Sequence, residues 1–95
     1  MAQPIRTIGN MNITRVIPVD LSEGDFIDEN GFFIRAGTAG IIKYCPFDNK
    51  SDAEAITKNF AASDIFIDPE VCRKIFDLGT VSPPQAENIY IGYGV

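Results

Sequence analysis

Apolar residues in this chain recur at every second position over short runs. Nowhere do they hold a helical spacing over the length of a long helix. The clearest run closes the sequence. Ile89, Ile91, Tyr93 and Val95 alternate with Asn88, Tyr90, Gly92 and Gly94, which predicts a strand with one buried face. Residues 13–21 behave likewise, with Ile13, Ile17, Val19 and Leu21 on one face. Pro18 lacks an amide to donate, so it puts this strand at an edge or ends it.

Between these two runs the punctuation is dense. Asn30-Gly31, flanked by Phe26-Ile27 and Phe32-Phe33-Ile34, reads as a type I′ hairpin turn, with a strand over 31–36. Gly37-Thr38-Ala39-Gly40 is a tight connection to a strand over 41–45, which Pro46 stops. Ile65-Phe66-Ile67 reads as a buried strand. Val71 to Leu78 is a further one, with Cys72, Phe76 and Leu78 on one side and Lys74 as the misfit. Gly79 to Glu87 is a loop that Pro83-Pro84 holds extended.

One segment reads two ways. Ser51-Asp52-Ala53-Glu54 fits a capping box, and Ala53, Ile56 and Phe60 share a helical face, with Glu54 placed to pair with Lys58. Ile56, Lys58 and Phe60 also alternate as a strand would. Local signals favour a short helix at 52–61. The predicted fold is all-β: a small β-sandwich, jelly-roll-like, of about six to seven short strands. Residues 13–95 form its single domain, and 1–12 a polar N-terminal arm.

With 95 residues the chain holds one core, which buries roughly two-thirds of the unfolded surface. Association with further copies would bury more. No apolar run reaches the roughly 20 residues of a membrane helix, and Met1 to Ile8 has no signal-peptide core. The net charge of −5, with no run of Lys or Arg, disfavours direct contact with nucleic acid or an anionic membrane. Cys45 and Cys72 read as small buried apolar residues in a reducing compartment.

Histidine is absent, which removes Ser-His-Asp and Cys-His catalysis and most transition-metal sites. The acidic stretch Glu23, Asp25, Asp28, Glu29, Asn30 resembles a calcium loop only in part. With Gly31 at the invariant glycine, Phe26 falls on the first ligand position and Gly37 on the twelfth. Gly37 to Gly40 is followed by Ile41 and Ile42 rather than the Lys-Ser/Thr of a phosphate loop. Asp64, Asp68 and Glu70 are the carboxylates nearest to a glycosidase pair, but no cleft is predicted around them. No catalytic, cofactor-binding or metal-binding residue is assigned, and the expectation is a non-enzymatic protein without a cofactor. Tyr90, opposite the apolar face of the last strand, fits either a subunit interface or packing under a loop.

The order of segments carries a resemblance. Gly31-Phe32-Phe33-Ile34-Arg35-Ala36 runs into Gly37-Thr38-Ala39-Gly40. Asp64-Ile65-Phe66-Ile67 leads to Val71-Cys72-Arg73-Lys74-Ile75-Phe76. Gly79-Thr80 then precedes Glu87-Asn88-Ile89-Tyr90-Ile91-Gly92-Tyr93. Over residues 13–95 this resembles the small head spike-base and capsid decoration proteins of tailed phages and gene-transfer agents. It departs from them in the acidic stretch at 22–31, in Phe60-Ala61-Ala62-Ser63, and in Val81-Ser82-Pro83-Pro84. The resemblance implies a β-sandwich that oligomerises about a symmetry axis, with a strand rather than a helix at 54–60. It implies a virion protein, made in the host cytoplasm, whose partners are copies of itself and a capsid, spike or fibre protein. The arm 1–12 would touch the capsid. The alternative is a monomeric module binding a peptide or carbohydrate through loops 22–31 and 79–87.

Overall fold

The computed structural model describes residues 13–49, 51–66 and 70–94, so the arm 1–12, Ile67, Asp68, Pro69 and Val95 lie outside the described residues. The chain is all-β. The described residues form six strands, β1 (Ile13–Val19), β2 (Phe26–Ala36), β3 (Gly40–Pro46), β4 (Ile56–Phe60), β5 (Cys72–Phe76) and β6 (Ile89–Gly94). They form one sheet in the order β1-β6-β2-β5-β3-β4. Every neighbouring pair is antiparallel.

The longest strand, β2, belongs to both halves of the sheet. Its first part pairs with β5 from Phe26 to Phe32, and its second part pairs with β6 from Phe33 to Ala36. Ile27 faces Lys74 and Phe32 faces Cys72, so Asp28, Glu29, Asn30 and Gly31 lie opposite Arg73 alone. This bulge turns the strand from one half into the other. Asn30-Gly31 is therefore a kink inside a strand, which corrects the hairpin reading. Gly31 does adopt positive φ, at 90°. Positive φ serves a bulge as well as a turn, and β5 and β6 occupy the edges along which the two parts of β2 would have paired.

The inner face follows the alternation. Ile17 and Val19 lie opposite Ile91 and Ile89, which lie opposite Ile34 and Ala36. From the other half, Ile42, Tyr44, Cys72 and Ile75 join the same buried cluster, together with Phe32, Phe60, Leu21 and Ala86. Residues from both ends of the strand order share one core, so the sheet folds over along β2 as a small sandwich. Phe26 and Phe32 meet edge to face at 5.2 Å where it bends.

The connection from β2 to β3 is a corner between the halves. The Gly37 amide donates to the Asn88 carbonyl at 2.6 Å, and the Thr38 hydroxyl accepts from the Asn88 amide at 2.8 Å. Gly40 then presses on the loop before β6. Ile41 exchanges backbone bonds with that loop: its amide donates to the Pro84 carbonyl at 3.0 Å, and its carbonyl accepts from the Ala86 amide at 2.9 Å. A Cβ on Gly40 would stand 2.5 Å from the Ala86 nitrogen.

Three further expectations need correction. The short helix at 52–61 is only a 3-10 turn, Asp52–Glu54, and β4 takes the rest. Ser51 makes no side-chain cap bond. Pairing with β3, from Gly40 opposite Phe60 to Tyr44 opposite Ile56, outweighs a weak local propensity. Ile65 and Phe66 are not in a strand. That segment crosses the outer face of β2 and β6: Ala62 bridges Ala36, and Arg35 donates to the Ser63 carbonyl at 3.1 Å. Phe66 is buried because its ring lies on Gly92, where a Cβ would come within 2.8 Å of it. Finally, Cys72 does not share a face with Phe76. The register slips between Cys45 and Pro46, so Cys72 and Ile75 are both buried, while Lys74 and Phe76 face outward. Cys45 and Cys72 are free thiols and both buried. Among the described residues no helix is long and apolar enough to cross a membrane.

Candidate functional site: a free edge strand and a loop cleft

β4 closes one end of the strand order and, among the described residues, pairs with β3 alone. An end strand normally hides one face against the core. Here Ile56, Thr57, Lys58 and Asn59 are all exposed, and only Phe60 is buried, edge to face with Tyr44 at 6.1 Å. The Lys58 ammonium lies 5.4 Å over the Phe60 ring. Its pairing with β3 runs without a register shift. The opposite end strand, β1, differs. It carries Pro18 and a register irregularity between Ile13 and Arg15, both of which spoil an edge for further pairing.

The second feature is a half-open cleft of about 490 Å³ between the turn after β1 and the loop before β6. Val19, Leu21, Ala86 and Ile89 form its apolar part. Asp20, Asp77 and Glu87 bring carboxylates to the lining, and among the described residues no lysine or arginine lines it. The Asp20 carboxylate accepts from the Ser22 hydroxyl at 2.6 Å and the Ser22 amide at 3.0 Å, which together hold its pKa below the ordinary value. Asp77 accepts from the Gly79 amide at 2.9 Å, and Gln85 from the Leu78 amide at 2.7 Å. These bonds fix the walls. The cleft can hold a polar or cationic group.

The acidic stretch does not converge. Asp25 accepts from the Asp77 amide at 2.8 Å and meets Lys74 at 3.6 Å. Lys74 also donates to Asp52 at 2.8 Å, and this bond holds the Asp52 carboxyl below its usual range. Arg73 donates to the Asn49 carbonyl at 3.1 Å, and the Cys45 thiol to the Ser51 carbonyl at 3.6 Å. The loop after β3 is thus tied down over β5. Among the described residues no group of three His, Cys, Asp or Glu could hold a metal. Asp64 is exposed, and Glu70 accepts from the Tyr44 hydroxyl. Tyr90 is half-buried on the outer face, with the Arg35 guanidinium 4.2 Å over its ring.

Asp28 accepts from the Tyr93 hydroxyl and from the Asn30 amide at 2.9 Å. The Tyr93 bond, first, draws the Asp28 carboxyl below its usual range. Burial, reinforced by Asp28, pushes the Tyr93 phenol up to about 12. A raised phenol stabilises the fold below its unfolded value near 10 and loses that contribution as pH climbs through the folded value. The depressed carboxyl stabilises above the ordinary carboxylate range and loses its contribution on acidification. Titration by 13C NMR of the tyrosine ring carbons is expected to place Tyr93 at about 12. In Asp28→Ala it should fall toward the ordinary value, and an unchanged titration would refute the pairing.

The open face of β4 was not singled out from the sequence. Its only signal was the alternation of Ile56, Lys58 and Phe60, and nothing in it marks the strand as an edge. Compared with protein-family models, with curated proteins and with solved structures, the chain matches none.

Proposed function

We propose that the protein is a non-enzymatic structural part of a virion, decorating the capsid or forming the base that seats a head spike or fibre. Shape and edge-strand complementarity do the work, and residues 1–12 contact the capsid. The observation that carries this reading is β4, a regular strand exposed from Ile56 to Asn59, with one edge unoccupied among the described residues. Such an edge is a template for another strand. The resemblance to head spike-base and decoration proteins supports the particle. It implies a strand at 54–60 where local signals favoured a helix, and a strand stands at Ile56–Phe60. A domain this small gains stability from copies that bury more surface.

Light scattering of the purified chain over a range of concentrations tests the reading. A trimer, pentamer or larger ring is the expected outcome. A strict monomer that also fails to bind capsids would overturn it. The acidic cleft favours a second reading, a monomeric binding module for a peptide or carbohydrate. That reading predicts a monomer and saturable ligand binding lost on Asp20→Ala.

A further inference from the structure

We propose that Asn30 is a site of spontaneous deamidation in the folded protein, so that a carboxylate comes to replace its side-chain amide at the bend of β2.

The chemistry needs only groups that the chain holds, and water. The Gly31 amide gives up its proton, and its nitrogen attacks the side-chain carbonyl carbon of Asn30. The new N–C bond closes a cyclic imide. The bond from that carbon to the side-chain nitrogen breaks, and the nitrogen leaves with the proton as ammonia. Water then opens the imide at either carbonyl, giving aspartate or isoaspartate at position 30. Nothing is oxidised or reduced.

The attacking nitrogen must approach the side chain of the residue before it, and a side chain on the attacking residue obstructs that approach. Glycine has none. Among the described residues the asparagines are Asn30, Asn49, Asn59 and Asn88. Lys50, Phe60 and Ile89 follow the last three, whereas Gly31 follows Asn30. Those three are also restrained. Asn49 donates its side-chain amide to the Glu54 carbonyl at 2.9 Å, and Asn88 donates to the Thr38 hydroxyl at 2.8 Å. Asn59 lies within a regular ladder, opposite Ile41.

The fold leaves Asn30 open to reaction. It is exposed, and the ladder between β2 and β5 skips Asp28 to Gly31. Asp28 accepts from the Asn30 main-chain amide at 2.9 Å and, more weakly, from its side chain. A bulge interrupts the ladder, so its backbone can turn without parting paired strands. The fold also keeps the glycine. Gly31 has φ 90°, and a Cβ there would stand 2.9 Å from Val71 Cγ1 and 3.1 Å from Phe47 Cδ1. A residue that would slow ring closure therefore does not fit. The bend requires the very glycine that makes Asn30 labile.

The product bears on the joint between the halves of the sheet. It sets a second carboxylate two residues from Asp28 and removes the amide that donated to it, and both changes raise the Asp28 carboxyl. Asp28 ties the bulge to β6 through the Tyr93 hydroxyl. Isoaspartate also lengthens the main chain by a methylene where β2 passes from β5 to β6.

Ageing the full chain at mildly alkaline pH, followed by trypsin and mass spectrometry, tests the site. Cleavage after Arg15, Arg35, Lys43, Lys50, Lys58, Arg73 and Lys74 puts Asn30, Asn49, Asn59 and Asn88 in separate peptides. Peptide 16–35 is expected to gain the mass of an amide-to-acid conversion several-fold faster than the other three. Asn30→Gln, whose longer side chain closes the ring poorly, should abolish the gain. Conversion no faster than in the other peptides, or undiminished in Asn30→Gln, would overturn the assignment. Low urea separates the folded from the unfolded chain. Reaction in the folded bulge predicts a rate that urea below the unfolding transition leaves nearly unchanged. A rate that rises in proportion to the unfolded fraction would place the chemistry in the unfolded chain and sink the proposal.

Discussion

Gly40→Ala is expected to destabilise the fold more than Gly79→Ala, with a large drop in the urea midpoint. The added Cβ would stand 2.5 Å from the Ala86 nitrogen and 2.6 Å from the Ala86 Cα. Both atoms are backbone, so no side-chain rotation relieves the overlap. The Ala86 amide is also committed, donating to the Ile41 carbonyl at 2.9 Å. Relief means parting the start of β3 from the loop before β6, which breaks that bond and its companion from Ile41 to Pro84. Overpacking costs about 1–3 kcal/mol where side chains can shift. Here the cost should exceed about 3 kcal/mol, a loss of more than a hundredfold in the folded-to-unfolded ratio of a domain with about 5–15 kcal/mol in hand. Gly79→Ala is the control. Its Cβ meets nothing, so only the positive φ of 66° is penalised, by about 1–2 kcal/mol. Urea unfolding followed by circular dichroism checks both. A Gly40→Ala midpoint equal to that of Gly79→Ala would refute the close approach.

Phe32→Ala should cost about 3–5 kcal/mol by emptying the bend of β2. Phe32 is 1% exposed and sits where the strand leaves β5 for β6. Its ring fills the fold of the sandwich and carries the edge-to-face contact with Phe26. Truncation removes a large buried surface and leaves a void that the bulge cannot readily collapse into, because Gly31 is already hemmed by Val71 and Phe47. Phe26→Ala, at a half-buried ring on the same cluster, should cost distinctly less. Equal losses for the two would show that the bend does not depend on Phe32.

The strands with one covered face were legible because alternation follows directly from burial. The inner-facing residues of β6, Ile17 and Val19 of β1, and β3 with its stop at Pro46 are of this kind. Ile13, expected on the same face as Ile17, lies instead against Gly92 on the other side, because the register shifts before Arg15. What could not be read was which strand lies beside which. Asn30-Gly31 records a positive φ, but only β5 and β6 on either side of β2 make it a bulge rather than a turn. The helix at 52–61 failed because β3 supplies strand pairing that no local window contains. Phe66 was rightly buried for the wrong reason, since Gly92, far along the chain, provides its seat. Of the candidate site, the loop before β6 was anticipated as a binding surface. The facing turn Asp20–Ser22 and the open faces of β4 needed the fold.

The place of β6 has a consequence for how the chain comes to be folded during synthesis. β6 lies between β1 and β2 and satisfies both, with Ile13 opposite Gly94 and Ala36 opposite Ile89. Until the residues around position 90 have left the ribosome, β1 has no partner and β2 has an open flank. The first strand made must wait for the last, so two apolar edges stay available to neighbouring nascent chains. Contacts this distant in sequence slow folding and expose strands to mispairing. Protection of β1 amides should therefore appear no earlier than protection of β6, and brief chaperone occupancy of residues 13–36 would shield the edges that β6 later fills.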